Sequence, residues 1–182
     1  MGHRAGLRCR VHLNRGPLAR GDPPFSPAYE HAAQKALAAG CLLVVAAGND
    51  ADKGIYEGAV GQPGNSPSVL TVAALDKMMA TAGFSNRLRP GASGVKGPDI
   101  AGPGVDVYSS WLVSDAMGGP YNTISGTSMA TPHVAGIAAL YAQSDPNARG
   151  LQLKNLVLNT CKDLVGGNLR TGEIGRGLVQ AP

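Results

Sequence analysis

At 182 residues, 43% of them hydrophobic and only 4% aromatic, the chain suits one closely packed α/β domain better than an aromatic-rich β-sandwich. The net charge of +4 invites a nucleic-acid partner, yet five arginines (Arg4, Arg8, Arg10, Arg15 and Arg20) crowd the first twenty residues without an acid, while the rest holds 11 basic and 12 acidic residues. The basicity is a tail and not a surface stripe, no apolar run reaches membrane-spanning length, and Cys9, Cys41 and Cys161 have neither a disulfide nor a zinc spacing, so no nucleic-acid, membrane or metal partner is expected.

Residues 1–25 lack hydrophobic periodicity and read as a poorly specified basic segment. The arginines there are followed by no apolar core of a secretory leader. Order begins with "SPAYEHAAQKALAAG", where Ser26 is the expected N-cap, Pro27 the first helical residue and Gly40 the stop. Tyr29, Ala33, Ala36 and Leu37 share one helical face, and His31 is expected at the surface.

Next comes "CLLVVAAGND". Leu42 to Ala47 are apolar without alternation, the pattern of a parallel strand covered on both faces. Cys41 reads as a small buried side chain. After a polar loop, Ser68 to Leu75 form a second such run, and "PDIAGPGVDVYSS" supplies two short strand-like pieces about a Gly-Pro-Gly turn. "ISGTSMATPHVAG" opens a long helix over about Ser128 to Tyr141, expected to be buried nearly all round, with Pro132 within or just after its first turn. A last helix places Leu153, Leu156, Val157 and Thr160 on one side, and "GEIGRGLVQAP" ends the chain as a Gly-punctuated strand or tail. The order is that of an α/β layer arrangement.

The serine corner carries the chemistry. At its simplest Ser128 is an N-cap, worth about 1 kcal/mol. Three features point further. Gly126 gives backbone freedom at the turn. The helix start offers N–H groups and a positive dipole end to an oxyanion. A buried helix would hold the hydroxyl rigidly. The G-x-S-x-G elbow of α/β-hydrolases does not fit, because Ala130 takes the fifth position.

"SGTSMATPHVAG" instead resembles the serine motif of the subtilisin-like serine proteases, the subtilases. "ALAAGCLLVVAAGND", "PGNSPSVLTVAALD", "FSNRLRPGASGVKGPDIAGPGVDVYSS" and "GRGLVQA" are similar to further segments of that family, with Gly102 where alanine is usual. The resemblance implies a three-layer αβα fold with a mostly parallel sheet, residues 26–182 being the C-terminal portion of the catalytic domain. It also implies a serine endopeptidase acting on peptide or protein substrates through an acyl-enzyme, with no cofactor. Ser128 takes the nucleophile position and Asn49 the oxyanion position. In subtilisin, itself a member of the family, removing such an asparagine lowers kcat about 10²–10³-fold. Ala46, Ala47 and Gly48 would wall the P1 pocket, Gly126 and Thr127 would line the substrate site, Gly61 and Gly64 would lie near the rim, and Gln62-Pro63 matches a frequent cis peptide. His133 lies five residues past Ser128, roughly 140° around the helix, and the family uses it in packing rather than as the base. An extracellular location is implied by the family alone.

Asp99 and carbonyls near Asn65 to Val69 resemble a weak cation site of some subtilases, but one carboxylate is thin provision for a hard ion that takes six or more oxygens, and no metal is expected. The family's Asp and His motifs precede the serine. Here neither is found: His3, His12 and His31 do not precede Gly-Thr, Asp22 precedes two prolines, and the other aspartates fall too late. The expectation is therefore an incomplete fragment, inactive alone, whose Leu42–Ala47 strand is a bare hydrophobic edge and whose folding needs an N-terminal half that also supplies Asp and His. The alternative is a non-catalytic pseudoprotease module binding peptides through a groove or a strand edge.

Overall fold

The computed structural model describes residues 8–10, 24–53, 58–88, 95–112, 119–164 and 171–182. Four parallel strands, β1 (Arg8–Arg10), β2 (Leu43–Ala46), β3 (Leu70–Leu75) and β4 (Ile100–Pro103), lie side by side in chain order. A separate antiparallel hairpin pairs β5 (Val107–Ser110) with β6 (Tyr121–Ile124). The helices are α1 (Pro27–Ala38), α2 (Thr127–Ser144), α3 (Gly150–Asn159) and the one-turn α4 (Thr171–Ile174).

The apolar runs become strands because both of their faces are covered. On β3, Leu70, Val72 and Ala74 turn toward Ala130, Val134, Ala138 and Tyr141 of α2 and Leu153 and Val157 of α3. On the opposite face Ala73 and Leu75 meet Ala101 of β4 and Ile174 of α4. Val45 of β2 and Val69 meet Ala33 of α1 there. This is the expected three-layer αβα arrangement. Each fully buried Leu, Ile or Val contributes about 1.5–3 kcal/mol of burial.

Helix α1 begins as its sequence dictates. Ser26 is the N-cap residue and Pro27 the first helical residue, although the Ser26 hydroxyl makes no capping bond; its carbonyl accepts from Glu30 N at 3.0 Å. Gly40 stops the helix at φ +78°, a conformation that suits glycine. His31 is exposed and Cys41 half-buried rather than buried.

Three expectations need correcting. The Leu42–Ala47 strand is not an edge: β1 pairs along it with Arg8, Cys9 and Arg10 opposite Leu43, Val44 and Val45. Backbone pairing asks for no apolar periodicity, so three residues of a basic segment can cover a hydrophobic strand, and the dependence of folding on a second polypeptide loses its premise. Helix α2 is buried on one side only, since Pro132, His133, Gly136, Ala139 and Leu140 are exposed. Its small residues hide the amphipathic signal because alanine and glycine sit on either face. As expected, Pro132 lies just after the first turn, and there the Ser128 carbonyl lacks the usual helical N–H. Finally, the C-terminal stretch starts as the helical turn α4, and only Leu178 bridges toward Ala101 and Lys162 as a strand would.

Candidate active site

The segments that follow β2 and β4 converge on the start of α2. At the end of β2, Ala46 and Ala47 are buried and Gly48 turns the chain at φ +113°, a value that requires glycine, which delivers Asn49. Beyond β4, Gly104 lies so close to its neighbours that a β-carbon there would sit 2.6 Å from Ala74 Cβ and 2.9 Å from the Gly126 carbonyl oxygen. The Gly104 carbonyl accepts from Gly126 N at 2.8 Å, and this bond fixes the start of α2. The site therefore sits at the carboxyl ends of parallel strands, the usual place for one in an α/β sheet.

The corner is joined by one side chain. Asn49 Oδ1 accepts from Thr127 N at 2.8 Å and from Thr127 Oγ1 at 2.9 Å, and Gly48 N donates to Thr127 Oγ1 at 3.1 Å. A helix leaves its first N–H groups without helical partners, and here a residue 78 positions earlier satisfies one of them. With its oxygen so engaged, the Asn49 amide NH₂ turns toward Gly126, 3.5 Å from where a β-carbon would stand. Gly126 itself is extended at φ 162°. Its lack of a side chain matters for the open space before the amide rather than for backbone freedom.

Ser128 is not the N-cap. Gly126 holds that place, and Ser128 is the second helical residue, half-buried, directly after Thr127. The structure thus brings Asn49, Gly48, Gly126, Thr127 and Ser128 into one corner, with Ala46 and Ala47 on the strand leading to it. Gly64 packs against the Ala46 carbonyl, which its absent β-carbon would approach to 3.0 Å, and Gln62-Pro63 is cis. His133 stays apart: its exposed ring contacts the Met129 carbonyl through Nδ1 at 2.8 Å. His3, His12, Asp22 and Asp115 lie outside the described residues.

Asn86 is a positioning residue that the sequence reading missed. Its Oδ1 accepts from Asp50 N at 2.8 Å and its Nδ2 donates to the Ala59 carbonyl at 2.8 Å, holding the loop just after Asn49. The sequence carried no signal for this: the burial of Ser85 and Asn86 appears only in the fold, and nothing in the spacing names Asp50 as the partner. The Thr127 side chain bonds to Asn49 and Gly48.

The oxygens near Asp99 carry ammonium groups. Lys96 Nζ pairs with Asp99 Oδ2 at 2.7 Å and donates to the carbonyls of Ser66 and Val69 and to Thr71 Oγ1 at 2.9–3.0 Å. Burial pushes the Lys96 ammonium down to about 8, against the pull of Asp99. Asp99 Oδ2 also accepts from Thr71 N, and Lys154 of α3 donates to the carbonyls of Pro67 and Val69.

Comparison with known proteins places the chain. The model of the subtilase family matches residues 17–177. The chain is 37% identical over 164 residues, 90% of its length, to subtilisin Savinase of Lederbergia lenta, of which it covers 53%. It is equally identical to the M-protease of Shouchella clausii (strain KSM-K16), covering 38% of that protein. Among solved structures, a cold-adapted subtilisin-like serine proteinase superposes with a TM-score of 0.65 at 30% identity over 94% of this chain and 52% of the other. Sphericase superposes with the same score at 32% identity, over 83% of this chain and 47% of its own. The chain thus spans about half the length of these relatives or less. With a family model matched from before α1 to the turn after α4, and with neighbours of the same kind in sequence and in fold, this chain belongs to the subtilase family.

Proposed function

We propose that residues 26–182 are the C-terminal portion of a serine endopeptidase domain and that the corner at Ser128 is its acylation site. The observation that carries this reading is the bond pair from Thr127 to Asn49 Oδ1, which leaves the Asn49 amide beside the helix start where Ser128 stands. Ser128 Oγ attacks the scissile carbonyl of a peptide as a base takes its proton. The carbonyl oxygen becomes an oxyanion held by the Asn49 amide and the Ser128 N–H, the amine leaves with a proton, and water then hydrolyses the acyl-enzyme. Small residues at Ala46, Ala47 and Gly48 leave room for the substrate side chain.

The base and its carboxylate come from a polypeptide segment other than 26–182. His31 is exposed on α1 and His133 faces the Met129 carbonyl, so neither is in place to take the serine proton. In this reading the 182-residue chain is close to inert alone and becomes active with an N-terminal half bearing Asp and His, since loss of the base alone costs about 10⁶-fold in subtilisin.

The test is labelling of Ser128 by a fluorophosphonate, with the chain alone and mixed with the N-terminal half of a subtilase. Labelling in the mixture, abolished by Ser128→Ala, is the expected result. No labelling in either sample, with peptide binding that survives Ser128→Ala, would establish the non-catalytic module instead.

A further inference from the structure

The oxygens at the head of β3 resemble a cation cradle, yet the residues present do not fit a metal. Among the described residues one carboxylate, Asp99, faces them, and its Oδ2 is engaged by Lys96 and by Thr71 N. Val69 O accepts from two ammonium groups, those of Lys96 at 2.9 Å and Lys154 at 2.7 Å. The other nearby carboxylate, Glu30, is bonded to Ser68 through N and Oγ. A divalent ion would need six or more oxygens and would have to share them with two positive charges.

We propose that Lys96 is a built-in monovalent cation, its ammonium taking the place and the oxygen ligands that a bound ion would take. Four oxygens surround Nζ, from Ser66, Val69, Thr71 and Asp99, at 2.7–3.0 Å. Two of the four are backbone carbonyls of the loop leading into β3, so the ammonium ties that loop to the segment before β4. Among the described residues the charges around it balance: Asp99 and Glu30 against Lys96 and Lys154. Delivering the cation on a side chain makes the loop independent of solution ions. Removing it leaves a net negative, carbonyl-lined hollow suited to a single positive charge. Lys96→Ala would therefore turn a closed site into a monovalent-ion site, whereas Lys96→Met fills the hollow with an uncharged chain and gives an ion nothing to replace.

The experiment is thermal unfolding of the 182-residue chain at pH 7, in potassium chloride, in calcium chloride and in choline chloride at equal ionic strength, and with a chelator. The unsubstituted chain is expected to melt at one temperature in all four. Lys96→Ala in choline is expected to melt several degrees lower, since the change breaks a part-buried ion pair and frees two carbonyls and a hydroxyl that the ammonium now holds. Potassium should recover at least half of that loss. Lys96→Met should melt low in every salt. A rise in the melting temperature of the unsubstituted chain with potassium or calcium, or a fall with the chelator, would overturn the proposal. That arm is sharp because the buried Asn65 Oδ1 and Ser66 Oγ have no partner among the described residues and would be open to a bound ion. Loss of stability in Lys96→Ala without ion-specific recovery would overturn it as well, leaving Lys96 an ordinary packing and pairing residue.

Discussion

Asn49 and Thr127, 78 residues apart, are held by two hydrogen bonds to one oxygen: Asn49 Oδ1 accepts from the Thr127 N–H at 2.8 Å and from its hydroxyl at 2.9 Å. The end of a central strand and the start of the longest helix are thus one unit, and the Asn49 amide is aimed as a consequence.

Thr127 is fully buried, and its hydroxyl also accepts from Gly48 N. Thr127→Val keeps the shape but strands these partners. Urea unfolding should show a loss of about 1–3 kcal/mol, and Thr127→Ser should recover most of it. Equal stability of the valine variant would show that the hydroxyl does not hold the corner.

Gly104 and Gly126 should differ when changed to alanine. At Gly104 the new β-carbon would meet Ala74 Cβ at 2.6 Å and the Gly126 carbonyl at 2.9 Å, so strand and corner must move apart, at about 1–3 kcal/mol. At Gly126 the nearest atoms are 3.4–3.7 Å away, ordinary contact, so stability should hold while the methyl group crowds the Asn49 amide. Urea unfolding of the two variants checks the contrast.

How much of this was legible follows from where each signal lies in the chain. The serine corner was readable because Gly126, Thr127, Ser128 and the helix that fixes them are contiguous, and the strand to Asn49 announces itself by six apolar residues. Strand β1 was not readable, because Arg8–Arg10 pair through backbone and show no hydrophobic pattern. The open side of α2 was hidden by alanines and glycine, which fit either environment. Lys96 gave little sign: Asp99 lies three residues on, but the other three acceptors are 25–30 residues away and two of them are carbonyls.

Glu30 is buried on α1 with Ser68 and Gln34 as hydrogen-bond donors. Burial raises its pKa, but those bonds, aided by the Lys96 charge, leave it lowered from the ordinary 4.5. A carboxylate so depressed contributes stability that is complete above its unfolded pKa and is lost as pH falls through the folded value. Melting temperature should therefore drop below about pH 4.5, and Glu30→Gln should melt lower at pH 7 with a flatter acid limb. An unchanged acid limb would remove Glu30 from the account.

Lys96 should titrate near 8, well below the ordinary lysine value of 10.5, because burial disfavours the ammonium. Asp99 opposes that fall, so Asp99→Asn should lower the midpoint further. Carbon-13 shifts of the lysine Cε groups against pH would read both, and a Lys96 midpoint with the bulk of the lysines would contradict the burial.

The most direct test of the central claim is the rate of Ser128 labelling by a fluorophosphonate in the chain mixed with an N-terminal half, with and without Asn49→Ala. The account predicts that the substitution slows labelling about 10²–10³-fold while leaving the fold intact, the range for losing one oxyanion donor. An unchanged rate, in a variant shown to be folded, would contradict it.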